Sequence, residues 1–522
     1  MQNSQPTHPV SLRLLCLLFA VYLFAGLLDH DLWRFEDAVH IGAAWDMAQR
    51  GHWLTPQIAG VDWHVGPFWY WLAAICGKLF GGMLGFHNAA RLATALCGAL
   101  TLFAIGHASS RIIAGQRYAA TARFDAAAPM LLIGAPGLLL PMHDAQPMIA
   151  VLAGHALVYW GLALLPQRRS GGLLLALGLS VTTLASGLNA LLPLVALLLL
   201  PTLCAPWRNA VALQGWLIAA LLAGATIMAQ AQFIELPGLS PFTLHLSRKH
   251  FELLTWYAWP AMPLALWPLW LFRRQLDQIA LPLIGSIGAL VWFFLCSEPR
   301  NLPALPLLLP LTLLAATGAG RLRRGAANAL DWFGMMTFSL LGLLLWLFEA
   351  AMLTGTPPKM YKSVMRLIPG YADMPSLVAW GGAVAISALW LLIIFNTRRS
   401  PWRGTTHWAC GIVLVWSLFA ALWIPVVDYG KSYAPMSREI AEKLRSDPES
   451  CLAGRNLDMV ERAVLDYHAG VAVTRGEAAK ACRWLLVTDD PHRIPSVEPG
   501  WALVWQGARP SDRVDRYYLF KR

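Results

Sequence analysis

Asp29-His30-Asp31-Leu32-Trp33-Arg34-Phe35-Glu36-Asp37-Ala38-Val39-His40 follows directly on the first long apolar run of the chain, residues 11–28. Ionisable groups packed this densely beside a bilayer-length apolar segment belong at a membrane surface, because hydrocarbon rejects charge. Glu36 and Asp37 are adjacent carboxylates, and His40 stands one helical turn after Glu36, a combination suited to proton transfer. Acidic residues at a helix start also complement the helix dipole, so capping is the alternative reading of the pair.

Outward from this stretch, the composition sets the class. Of 522 residues, 57% are hydrophobic and 13% charged, and mean hydropathy is +0.52. Such a chain is not soluble, and it reads as an all-α polytopic membrane protein. Apolar runs are expected to span at 11–28, 88–112, 128–141, 145–165, 171–185, 188–203, 209–229, 256–272, 279–296, 302–319, 331–353, 377–395 and 407–425, about thirteen helices of bilayer length. The alternating pattern of barrel strands is absent.

Arginines punctuate alternate loops, as at Arg168-Arg169, Arg273-Arg274 and Arg398-Arg399. By the positive-inside rule these loops are cytoplasmic, with the N-terminus. The opposite loops carry Glu36-Asp37, Asp144, residues 235–252, 298–301 and 357–373, and an odd span count puts the C-terminus with them. A bacterial inner membrane with its periplasm is the expected setting. The net charge of +11 lies mainly in these short arginine clips. It suits anionic membrane lipids and gives no basic face for nucleic acid.

Residues 1–427 are therefore expected to form the membrane domain, with an outer loop at 29–87, and 428–522 a small periplasmic α/β domain. In the latter, charged helix-like sequence at 436–445 is followed by short apolar runs at 451–453, 470–474, 484–488 and 502–505. Cys451 and Cys482 both fall in it, where an oxidising compartment permits a disulfide; two free thiols are the other reading.

Within the outer loop, Ala38, Ile41, Ala44, Trp45 and Ala48 have the spacing of an amphipathic helix lying on the membrane. Trp53-Leu54-Thr55-Pro56, Asp62-Trp63-His64 and Gly66-Pro67-Phe68-Trp69-Tyr70-Trp71 follow, then Arg91 at the mouth of the second span. Aromatics at this density also mark membrane interfaces, and an arginine there also snorkels to headgroups.

The order of first helix, acidic pair, Trp53–Pro56, Gly66–Trp71 and Arg91-Leu92 resembles the GT-C integral-membrane glycosyltransferases, above all the aminoarabinose transferases of lipid A and the related protein O-mannosyltransferases. Met142-His143-Asp144-Ala145 resembles their second acidic signature, and Ser297-Glu298-Pro299-Arg300-Asn301-Leu302-Pro303 their basic-then-proline entry to a late helix.

The resemblance implies a GT-C fold and transfer of a sugar, with inversion, from a polyprenyl-phosphate donor to lipid A or another lipopolysaccharide part, with protein hydroxyls as the other acceptor class. It makes Glu36 or Asp37 the catalytic base, with Asp144 in support. Relatives carry lysines where this chain has Val65 and Ser186, so the donor phosphate would fall to Arg91, Arg248, Lys249 or Arg300. His64 and His250, with neighbouring carboxylates, would suit a divalent metal. A transporter is the competing class, but the spans are nearly free of ionisable residues and show no internal repeat.

Overall fold

The structure is a computed structural model that describes every residue except 1–11, 34, 116–123, 235–243, 245, 296–300, 373–375 and 448–449. Among the described residues, seven helices are long and apolar enough to cross a membrane, and six shorter apolar helices accompany them. The protein is a helical membrane bundle ending in a small sheet domain.

The chain enters through α1 (Leu12–Phe24), and α2 (Glu36–Arg50) follows the acidic stretch. Gly51, at φ 81°, closes α2 in the left-handed conformation that costs a glycine little. A two-residue hairpin, β1 (Gln57–Ile58) and β2 (Val61–Asp62), turns through Ala59 and Gly60, both at positive φ. Next come α3 (Phe68–Leu84) and α4 (Phe86–Gly115), whose buried residues include Arg91.

The segment expected to form one span at 128–141 is instead two helices, α5 (Ala127–Ile133) and α6 (Pro136–His143). Pro136 explains the break, since a residue before proline is driven out of the helical region, and Ala135 is extended. α7 (Met148–Leu164) and α8 (Gly171–Ser186) then pack backbone to backbone. A Cβ on Gly161 would meet the Gly171 carbonyl oxygen at 2.7 Å, and one on Gly178 the Gly154 carbonyl oxygen at 2.6 Å. Small residues seven apart on both helices thus permit the close crossing that membrane helices use.

Residues Leu188–Leu199 form a 3₁₀ helix, not the α-helix expected there, before α9 (Leu200–Leu203) and α10 (Ala210–Phe233). The expected span at 256–272 is likewise divided between α11 (Arg248–Tyr257) and α12 (Ala261–Leu271), with Pro260 at the joint. The bundle continues through α13 (Ala280–Leu295), α14 (Asn301–Ala319), α15 (Arg324–Thr354), α16 (Pro358–Leu367), α17 (Leu377–Asn396) and α18 (Arg403–Lys431).

Beyond α18 lie α19 (Ala434–Leu444), β3 (Leu452–Arg455), α20 (Met459–Ala469), β4 (Val473–Thr474), β5 (Trp484–Asp489), β6 (Ala502–Gly507) and β7 (Arg516–Lys521). The sheet order is β4-β3-β5-β7-β6, with β3 parallel to β4 and β5, and β7 antiparallel to β5 and β6. Asp458 and Glu461 form a reciprocal capping box at the start of α20.

Cys451 and Cys482, 31 positions apart in sequence, are joined in a disulfide with Cα atoms 4.8 Å apart. It ties the start of β3 to the start of its neighbour β5. Reduction is expected to lower the stability of this sheet by about 2–4 kcal/mol. Limited proteolysis with and without reductant checks this: cleavage should appear first in 446–483, with the helical bundle still intact.

Candidate active site

α2 does not lie on the membrane as its pattern suggested. It is buried on almost every side, between α3 and α20, and Asp37, His40 and Asp46 are buried with its apolar residues. The alternation of apolar and polar positions arises because its polar residues face partners inside the protein. At its C-terminal end Arg50 donates to Asp466 of α20 at 2.6 and 2.8 Å and to Asp46 at 2.5 Å, and His52 reaches Asp46 at 2.6 Å. Tyr467 of the same helix lies edge-on to Trp45 and hydrogen-bonds His87.

The two carboxylates at the other end have different fates. Asp37 is 2% exposed and accepts from Arg91 Nε at 3.2 Å, Arg91 Nη2 at 2.9 Å and the Ala145 N–H at 3.0 Å. Burial alone would raise its pKa, but the Arg91 guanidinium, helped by His30 and these hydrogen bonds, holds the carboxyl below the usual range.

Arg91 is fully buried, and its remaining donors reach the His30 carbonyl at 2.8 Å, Asn88 Oδ1 at 3.0 Å and the Asp31 carbonyl at 2.9 Å. A guanidinium has five N–H groups, and all five are engaged. Arg91 is thus held entirely by protein acceptors, with no N–H left over for the phosphate expected there.

Glu36 is 35% exposed, and its Oε2 faces His40 Nε2 at 3.0 Å. Partial burial works to raise its pKa, but the bond to His40 and the nearby Gln146 outweigh this and lower it. Glu36 thus stays ionised at neutral pH and is partly exposed.

Asp144 follows α6 in extended conformation. Thr94 Oγ1 donates to its carbonyl at 3.0 Å, and the next N–H, that of Ala145, is bound by Asp37, so this turn is pinned between α2 and α4. No hydrogen bond to the Asp144 carboxyl is present among the described residues. Burial first, then the Asp37 charge, pushes its pKa well above the ordinary carboxylate range. The shift favours the protonated form, a hydrogen-bond donor. Asp144→Asn, which imitates that form, is expected to keep the thermal stability at pH 7 within a few degrees of wild type, as scanning fluorimetry would measure.

A cation that no local pattern in the sequence revealed also lies here. Lys431, the last residue of α18, is exposed, sits 5.3 Å from the centre of the Trp33 ring, and acts electrostatically on Asp144. Its place is fixed by the stretch read first. Asp428 accepts from the Asp31 N–H and from Trp33 Nε1, both at 2.8 Å, while Asp31 receives the Ser432 hydroxyl and the Ala434 N–H and pairs with His468 at 3.0 Å.

Neither Arg248 nor Lys249 is tied into this network. Arg248 is 92% exposed and pairs with Glu252 on its own helix, and Lys249 is exposed beside it. Arg300 and Glu298 lie outside the described residues. His64 is exposed, whereas His250 is fully buried against Phe293 and Phe294 with Nδ1 2.8 Å from Ser247. Among the described residues no three His, Cys, Asp or Glu side chains converge as metal ligands. Of the two histidines expected at a metal, His250 is held in an aromatic interior and His64 is exposed.

No family model matches the sequence, and no curated protein matches it. Two solved structures share its fold along nearly the whole length. ArnT from Cupriavidus metallidurans bound to undecaprenyl phosphate superposes with a TM-score of 0.69 at 17% identity, covering 97% of each chain. The same protein in the apo state gives 0.64, again at 17% identity and 97% of each chain. From the first helix to the last strand, this chain has the ArnT fold.

Proposed function

We propose that this protein is an inverting glycosyltransferase that moves a sugar from a polyprenyl-phosphate donor to a cell-envelope acceptor, with lipid A or another lipopolysaccharide part as the acceptor. The observation that carries the proposal is the division of labour between the adjacent carboxylates: Asp37 is consumed by Arg91, while Glu36 is ionised, partly exposed and oriented by His40. The ArnT fold, one example of which holds undecaprenyl phosphate, supports the donor class.

In this mechanism Glu36 accepts the proton of the acceptor hydroxyl. The hydroxyl oxygen bonds to the anomeric carbon from the face opposite the phosphate. The carbon–oxygen bond to phosphate breaks as it forms, and its electron pair leaves on the polyprenyl phosphate. Lys431 lies on the same side and supplies positive charge for that phosphate. Asp144, protonated, is a hydrogen-bond donor beside the reacting groups. The site faces the periplasm across a bacterial inner membrane in this reading.

Mass spectrometry of envelope glycolipids from cells with and without the gene tests the acceptor. A glycolipid species heavier by one sugar should require the gene. Unchanged glycolipids together with a gene-dependent sugar on an envelope protein would overturn the lipid acceptor.

A further inference from the structure

Glu36 is the outer end of a hydrogen-bonded chain that runs back into the protein. His40 Nε2 lies 3.0 Å from Glu36 Oε2, His40 Nδ1 lies 2.8 Å from Tyr70 Oη, and Trp63 Nε1 lies 3.0 Å from the same Tyr70 oxygen. The members come from α2, the loop after β2 and the first turn of α3. Trp69 stands edge-on against the imidazole, with ring centres 6.1 Å apart, and the His40 side chain is 11% exposed.

The direction of every bond in this chain follows from donor chemistry. An indole N–H can only donate, so the Tyr70 oxygen accepts from Trp63. The ionised Glu36 carboxylate can only accept, so His40 Nε2 carries a proton, and in the neutral imidazole Nδ1 is then the bare nitrogen that takes the single Tyr70 proton. A neutral imidazole with Nδ1 bare carries its proton on Nε2, and that N–H points at the Glu36 carboxylate. The opposite tautomer would leave the Tyr70 proton without an acceptor and set a lone pair against a carboxylate oxygen. Trp63 and Tyr70 thus select the tautomer of an imidazole they hold from behind.

We infer that His40 is a positioning residue for Glu36, held as the Nε2–H tautomer by Tyr70 and Trp63 so that the partly exposed carboxylate is fixed in one orientation toward the acceptor hydroxyl. The inference rests on the role proposed for Glu36. It adds that the carboxylate does not act alone, and that residues in the aromatic run 63–70 are functional parts as well as interface anchors. Free rotation of Glu36 would scatter its basic lone pairs, whereas a fixed oxygen leaves one productive direction for proton uptake.

The direct test is ¹⁵N NMR of histidine-labelled full-length protein in bilayers, with the His40 signal assigned by its loss in His40→Gln. The expected result is an Nε2–H tautomer that becomes mixed in Tyr70→Phe. An Nδ1–H tautomer, or one indifferent to Tyr70→Phe, overturns the inference whatever the activity. In transfer assays His40→Ala should lower kcat roughly tenfold to a hundredfold, as loss of a partner that orients a reacting side chain does, with the donor KM little changed. His40→Gln, which keeps a donor toward Glu36, should recover most of the rate, and Tyr70→Phe should have no further effect in the His40→Ala background. Wild-type kcat in His40→Ala while Glu36→Gln is inactive would overturn the positioning role and leave the proposed reaction intact. Absence of transfer by the wild type, with the tautomer as expected, would overturn the reaction and leave the hydrogen-bonded device standing.

Discussion

Glu36→Gln is expected to lower the rate of sugar transfer by a factor on the order of 10² to 10⁴, the usual contribution of a positioned general base. The amide fills the same space and still accepts a hydrogen bond from His40 Nε2, so folding should be untouched. The side chain is 35% exposed and the isosteric amide can keep its contacts to His40 and Gln146, so a stability loss above about 0.5 kcal/mol is unexpected. Rate and melting temperature measured on the same purified sample check both halves: a large loss of kcat with an unchanged melting temperature is the expected pair.

The neighbouring position should behave in the opposite way. Asp37→Ala or Arg91→Ala breaks a fully buried ion pair and strands the surviving charge, which costs about 3–5 kcal/mol. Arg91 also gathers the His30 and Asp31 carbonyls and Asn88, so its loss frees the whole acidic stretch from α4. Poor accumulation in the membrane and a sharply lower melting temperature are the expected results, with the two single variants about as damaged as the double. The pair also sets a pH dependence. The folded-state pKa of Asp37 lies below its unfolded value, so its contribution is present in full above the ordinary carboxylate range and is lost as pH falls through the folded value. Melting temperature should therefore fall on acidification below about pH 4. Arg91→Ala should show little of that fall, because without the guanidinium the buried carboxyl is no longer held below its ordinary pKa.

The helical membrane class and the small α/β domain were legible from composition and apolar period. The likeness read at Glu36-Asp37, Gly66–Trp71 and Met142–Ala145 agrees with the ArnT fold found over 97% of the chain. Breaks within helices were less visible. Pro136 and Pro260 divide apolar runs that hydropathy alone reads as continuous. Strand β7 escaped notice, since Arg516-Tyr517-Tyr518-Leu519-Phe520-Lys521 begins and ends in charge, yet it pairs with both β5 and β6.

Sequence also could not say which carboxylate is spoken for, because the answer depends on Arg91, 54 residues away from Asp37. Lys431 was hidden for the same reason: it meets Trp33 only because Asp428 closes on Asp31 and Trp33 across nearly the whole chain. The pattern 38-41-44-45-48 was read correctly as amphipathic and wrongly as surface-bound, since α20 supplies a second wall that no local pattern reveals. His40 was in view from the outset, one turn from Glu36. Its link to Tyr70 required the fold.

Single-turnover transfer from a synthetic polyprenyl-phosphate sugar, measured in liposomes with matched amounts of folded wild type, Glu36→Gln and Asp37→Asn, tests the central claim most directly. Transfer with inversion by the wild type is expected, with at least about a hundredfold slower transfer by Glu36→Gln at an equal melting temperature. Asp37→Asn should show a loss that tracks its lower stability. Glu36→Gln working at the wild-type rate, or Asp37→Asn inactive while as stable as wild type, would contradict that claim.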